Sequence, residues 1–189
     1  KDFRLKYEES FDAWPKEMAY LRSLVRKELQ LRGLRYSDHQ LNEAVRAKYI
    51  EPDSGLLNKN AYDALAPKIV AASRKSGKPA SVGFFDGNKF AAFPKSFKLL
   101  GDQMIDVVIQ KRIAEAAGEV FGKYGIVLVR YGTGSEEFGL IGAVNEEKMG
   151  RALQEFQEKL AEPLFFKANV GELRQTEQGR QYLAEKGIP

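Results

Sequence analysis

A chain of 189 residues with 43% hydrophobic content can bury a core of its own. Its apolar runs, such as Ile126 to Val129, fall far short of the roughly 20 residues a membrane helix needs. It has no cysteine and a single histidine, His39, which excludes disulfides, thiolate zinc centres, cysteine nucleophiles and a multi-histidine metal site within one chain. The net charge of +4 is mild and mixed in distribution; its densest basic stretch, Arg22, Arg26, Lys27, Arg32 and Arg35, reads as a solvated helical face. Nucleic acid is therefore not expected as a partner, and nor is a membrane. The chain opens on Lys1 with no export signal, so it is expected to be a cytoplasmic piece of a longer protein.

Residues 1–50 read as an N-terminal helical segment. Trp14, Met18, Leu21, Leu24 and Val25 recur at helical spacing, Gly33 breaks the pattern, and Ser37-Asp38 caps a second helix through Leu41, Ala44 and Val45. Such a pair is compatible with a DNA-binding helix-turn-helix, but a packing or signal-relay role suits it better, since nothing in it reads base edges. A turn at Glu51-Pro52-Asp53-Ser54-Gly55 marks the expected boundary with a second unit over residues 51–189, which opens on a helix from Asn58 to about Ser76.

The elements that follow are a strand over Ser81–Phe85, a helix over about Leu99–Lys123, strands over Ile126–Tyr131 and Phe138–Val144, a helix over Glu146–Leu160 and a strand over Leu164–Val170. The long helix carries Ile105, Ile109, Ile113, Ala117 and Phe121 at four-residue steps, with Val108, Ala116 and Val120 widening the stripe. Gln175 to Pro189 leaves room for one small helix. The order βαββαβ predicts an α+β fold, a ferredoxin-like palm with an antiparallel central sheet and both helices on one face.

Chemistry concentrates at two places. Asp86 leaves the first long strand, and Glu136-Glu137 occupy the turn between the two central strands. In a ferredoxin-like sheet these ends are neighbours, and oxygen ligands so placed suit Mg²⁺ held against a triphosphate. Each carboxylate alone is an ordinary turn residue; their joint placement favours a metal site.

The motifs around these residues resemble the GGDEF domains of diguanylate cyclases. The stretch Glu51-Pro52-Asp53-Ser54-Gly55-Leu56-Leu57-Asn58-Lys59-Asn60-Ala61-Tyr62 is similar to that family's D-x-L-T-G-L-x-N-R-R-x-F. Phe84-Phe85-Asp86-Gly87-Asn88-Lys89-Phe90 matches its strand followed by D-x-D-x-F-K, and Leu100-Gly101-Asp102 its later G-D. Arg130-Tyr131-Gly132-Thr133-Gly134-Ser135-Glu136-Glu137-Phe138 resembles R-Y-G-G-D-E-F with two extra residues in the turn. The resemblance runs from about Glu51 to Gly171 with the motifs in order.

It implies two GTP molecules condensed into cyclic di-GMP, one held by each half of a homodimer with Mg²⁺. By position it implies Asp86, the Gly87 carbonyl and Glu136 as metal ligands, with Glu137 beside them in the catalytic set. It further implies Asp102 as a guanine contact, and Asn88 and Gly134 as part of the nucleotide site.

The departures from the family point to a degenerate member. The lysine of F-K falls at Ala91, and the guanine-reading asparagine at Pro94 or Phe93, where no side chain replaces the polar contact. Ser135 stands where a glycine is usual, and the Thr133 insertion lengthens the signature turn. The inhibitory R-x-x-D is absent from Lys123-Tyr124-Gly125-Ile126, and Tyr182 to Gly187 matches the family's last segment only faintly. The reading is a catalytically impaired, purine nucleotide- and Mg²⁺-binding regulatory domain that pairs with itself or a partner signalling domain. The alternatives are an active purine dinucleotide cyclase and another palm-like nucleotidyl transferase.

Overall fold

The computed structural model describes residues 13–52, 54–86, 102–131, 137–162 and 170–188. Helix α1 (Pro15–Leu31) starts with proline at its first turn, where no amide hydrogen is needed, and buries Met18, Leu21 and Val25. Gly33, at φ 68°, turns the chain into α2 (Asp38–Tyr49). A reciprocal capping box starts α2: the Ser37 hydroxyl accepts from the Gln40 amide, and the Gln40 side chain accepts from the Ser37 amide. Helix α3 (Lys59–Ser76) is capped by the Asn58 side chain, and Asn58 and Asn60 both donate to the Lys48 carbonyl at 3.1 Å, pinning the start of α3 to the end of α2.

A four-stranded sheet follows the order β1 (Leu57–Asn58), β3 (Ile126–Arg130), β4 (Glu137–Gly142), β2 (Ser81–Asp86). The first pair is parallel and the other two antiparallel. Successive strand residues point to opposite faces, so the neighbours Phe84 and Phe85 reveal what lies on each. Phe85 stacks on Phe138 at 4.9 Å and meets Phe156 of α5 (Glu146–Ala161), which in turn packs on Phe121 of α4 (Asp102–Tyr124). Both long helices thus share one face. Phe84, on the other face, meets Tyr62 of α3 at 6.5 Å. Strand β3, Ile-Val-Leu-Val-Arg, is buried along its whole length, as a strand covered on both sides must be.

The two N-terminal helices join the same core. Trp14, Met18 and Leu21 belong to one cluster of buried side chains with Ile126, Leu128 and Phe121, and the Trp14 indole N–H donates to the Ile126 carbonyl at 2.8 Å. Ala13 lies on a notch in α4: a β-carbon on Gly122 would stand 3.0 Å from the Ala13 carbonyl oxygen, and one on Gly118 3.4 Å from its side chain.

The mixed α+β architecture and the β2–α4–β3–β4–α5 order agree with the pattern expected from sequence. Strand β4 stops at Gly142 rather than Val144, because Asn145 already caps α5 by accepting from the Lys148 amide. The strand expected over Leu164–Val170 lies outside the described residues except at Val170, which opens a short helix, α6 (Val170–Leu173). A last helix, α7 (Glu177–Glu185), begins at a Thr176 cap. Among the described residues no helix is long and apolar enough to cross a membrane.

Candidate functional site

The carboxylate arrangement follows from sheet register. Asp86 is the last residue of β2 and Glu137 the first of β4, and the two are direct cross-strand partners, both exposed. Side chains opposite each other in an antiparallel pair leave the same face with β-carbons about 5 Å apart. Carboxylates so placed lie within reach of one shared cation. The oxygen-only donor set suits Mg²⁺, which characteristically takes one or two carboxylates and completes its shell with phosphate and water. Among the described residues no group of three or more His, Asp or Glu side chains converges. Glu136, Gly134, Gly87 and Asn88 lie outside the described residues; Asp102 is the first residue of α4.

A cavity of about 480 Å³ opens beside the pair, lined by Phe84, Phe85, Asp86, Tyr131, Glu137 and Phe138. Its size falls within the range of small-molecule pockets. Tyr131 follows β3 and its ring lies over Gly139, the cross-strand neighbour of Phe84. Tyr131 sits 5.7 Å from the Tyr62 ring and 5.9 Å from Phe84. Burial, reinforced by Tyr62 and the negative charges of Asp63 and Glu137, pushes the Tyr131 hydroxyl above the ordinary tyrosine range, so it stays a neutral hydrogen-bond donor.

Gly139 has no room for a side chain: a β-carbon there would stand 2.6 Å from Tyr131 Cε2 and 3.2 Å from Val129 Cγ2. Gly139→Ala is therefore expected to expel the Tyr131 ring and cost about 1–3 kcal/mol in thermal unfolding. In a Tyr131→Ser background the same change should cost clearly less, which identifies the ring as the obstacle.

The hairpin is anchored from below. Arg130, 4% exposed, reaches Glu51, 2% exposed, with Nη1 donating to Oε2 at 3.2 Å. The same oxygen accepts from the Ser54 amide at 2.7 Å and the Ser54 hydroxyl at 2.6 Å. Glu51 also donates its amide to the Leu56 carbonyl, and Gly55 adopts φ 75°, so Ser54, Gly55 and Leu56 fold back on Glu51. Glu51 heads the stretch similar to D-x-L-T-G-L-x-N, but nothing in the sequence pairs it with Arg130. The aromatic group of Tyr62, Phe84 and Tyr131 was likewise not singled out, though the Tyr-Gly-Thr-Gly spacing placed Tyr131 next to the turn.

No protein-family model matches the sequence, and no match is found among curated proteins. Comparison with solved structures does find the fold. The chain is similar to the GGDEF domain of DgcB from Caulobacter crescentus, solved in complex with c-di-GMP, at 22% identity and TM-score 0.51, over 63% of this chain and 66% of that one, slightly under two thirds of its length. A structure of DgcB with its coiled coil, also with c-di-GMP, aligns at 17% identity and TM-score 0.52 over 89% of this chain and 94% of that one. A microbial GGDEF domain described in a novel mode of interaction with cyclic di-GMP aligns at 18% identity and TM-score 0.51 over 75% and 93%. The fold of this chain is that of GGDEF domains.

Proposed function

We propose that this chain is a GGDEF-type domain impaired in condensation, which keeps a Mg²⁺-dependent purine nucleotide site and acts as a regulatory module in cyclic-dinucleotide signalling. The observation that carries the reading is the cross-strand pair Asp86–Glu137 at the rim of an aromatic-lined cavity, in a fold shared with domains solved with c-di-GMP. Mg²⁺, when bound, would offset phosphate charge and polarise the α-phosphate. The residues that would hold it are Asp86, Glu137 and, by resemblance, Glu136 and the Gly87 carbonyl.

The chain's own contributions are positional. Arg130 and Glu51 fix the end of β3, and β4 sets Glu137 against Asp86. Impairment comes from placement. The signature turn is longer than the family's, and a displacement of about 1 Å in reacting geometry can cost about a hundredfold in rate. The lysine that supports phosphate in the family is replaced at Ala91, and loss of the base-reading asparagine at Pro94 or Phe93 removes a contact that would select guanine. Because each domain would hold one nucleotide, condensation would also require a second copy of the chain.

The intact carboxylate pair favours one other reading, a working purine dinucleotide cyclase. Incubation with GTP, ATP or both in Mg²⁺, followed by chromatography, separates the two. The expected result is no cyclic dinucleotide; a product that disappears with Asp86→Asn and with Glu137→Gln would establish the cyclase instead.

A further inference from the structure

We infer that the aromatic side of this cavity takes a purine base face-on, by stacking on Phe84 and Tyr131, so that guanine and adenine nucleotides are held with similar strength. The inference rests on the reading of Asp86 and Glu137 as the place where a Mg²⁺-bound phosphate sits, and adds how the base is recognised.

Phe84 is a large apolar ring that is 67% exposed, with the Tyr62 and Tyr131 rings 6.5 and 5.9 Å away. Leaving such a ring in water forgoes about 1.5–3 kcal/mol of burial, and the same face exposes Val82 at 49%. Exposed apolar surface beside a cavity marks a place of contact. Tyr62, Tyr131 and Phe84 form a closed triangle of rings with centroids 5.7, 5.9 and 6.5 Å apart, tilted to one another by 37–49°, and the Tyr131 ring fills the space over Gly139. This is an aromatic cluster at the edge of the cavity.

Spacing and charge select the occupant. Phe84 precedes Asp86 by two residues on one face of β2, a separation of about 7 Å along the strand. A ligand filling the cavity must therefore present a flat ring at one end and, next to it, a group compatible with two carboxylates. A nucleotide whose phosphates carry a divalent cation meets both demands; a purely apolar molecule or a bare anion does not. The polar side-chain groups of the described lining are the two carboxylates and the Tyr131 hydroxyl. What the described lining offers a base is the rings of Phe84 and Tyr131, so the base is held through its face, and every purine has the same kind of face.

The test titrates the protein in Mg²⁺ with GTP, ATP and ribose 5-triphosphate, which keeps the sugar and phosphates but lacks a base. Wild type should bind GTP and ATP with affinities within about threefold of one another, both about tenfold or more tighter than the base-free triphosphate. Phe84→Ala should bring both nucleotides down to the base-free level without altering the base-free affinity, and Phe84→Trp should restore them. Because Phe84 is exposed, these variants keep the core, and circular dichroism verifies it.

The inference is overturned if nucleotides bind no tighter than ribose 5-triphosphate or if Phe84→Ala changes nothing. It is also overturned if GTP is preferred to ATP by about a hundredfold, the mark of a carboxylate reading the guanine edge. In all three cases the metal–phosphate reading survives. If none of the three ligands binds, that reading falls and the stacking site falls with it.

Discussion

Glu51→Ala should lower the stability of the protein by about 3–5 kcal/mol, because it removes a buried carboxylate that is ion-paired with the buried Arg130 guanidinium. Domains are commonly stable by only about 5–15 kcal/mol, so the shift in urea midpoint should be large. The Ser54 amide and hydroxyl lose their acceptor in the same substitution. The comparison that isolates charge is the double variant Glu51→Leu with Arg130→Met, which removes both charges and should recover most of the loss. A Glu51→Ala midpoint within about 1 kcal/mol of wild type would mean that the pair does not hold the turn after Glu51 to β3. The consequence reaches function, since Arg130 ends β3 and is the cross-strand partner of Phe138, next to Glu137. A Glu51→Gln protein that still folds is therefore expected to bind Mg²⁺-nucleotide more weakly.

Trp14→Ala is the second large effect. The indole is 3% exposed, packs in the shared core and donates to Ile126 at the start of β3. Truncation should cost about 3–5 kcal/mol. Trp14→Phe, which keeps most of the ring but not the donor, should cost about 1–3 kcal/mol. Trp14 is the single tryptophan, so its fluorescence in the wild type reports the docking of the N-terminal helices directly. If those helices and the sheet unfold together, the fluorescence and far-ultraviolet circular dichroism transitions in urea coincide. An earlier fluorescence transition would show that the helices undock first.

The elements that sequence revealed are those whose stabilisation is local. Four-residue apolar spacing marked α4, and its buried Ile113, Ala117 and Phe121 lie on the expected stripe. Ser37 with Gln40, and Asn58 before a helical run, are caps that act within three residues. What stayed illegible joins distant parts of the chain. Glu51 and Arg130 are 79 residues apart, and Trp14 and Ile126 are 112 apart; neither pair has a spacing signature. Strand β1 has only two residues, too few for alternation to register, and exists because β3 offers it a parallel neighbour. In Val82-Gly83-Phe84-Phe85 the hydrophobic character hides which ring is core: Phe85 is stacked beneath the sheet while Phe84 faces solvent.

The candidate site was legible to the same degree. The carboxylates stood out because metal chemistry needs acidic residues at strand ends, and Asp86 and Glu137 lie opposite one another in the sheet. The aromatic cluster did not stand out, because an aromatic in a strand is ordinarily core and only tertiary placement shows it turned outward. Gly139 looked like one more sequence glycine until the Tyr131 ring was seen to occupy the space of its missing side chain.

The most direct test of a Mg²⁺-dependent nucleotide site on this fold is a calorimetric titration of GTP, with Mg²⁺ and with the metal chelated, into wild type, Asp86→Asn and Glu137→Gln. Saturable binding in Mg²⁺ that weakens roughly tenfold or more on chelation and in each variant is the predicted result. Absence of binding, or binding indifferent to Mg²⁺ and to both carboxylates, would contradict it.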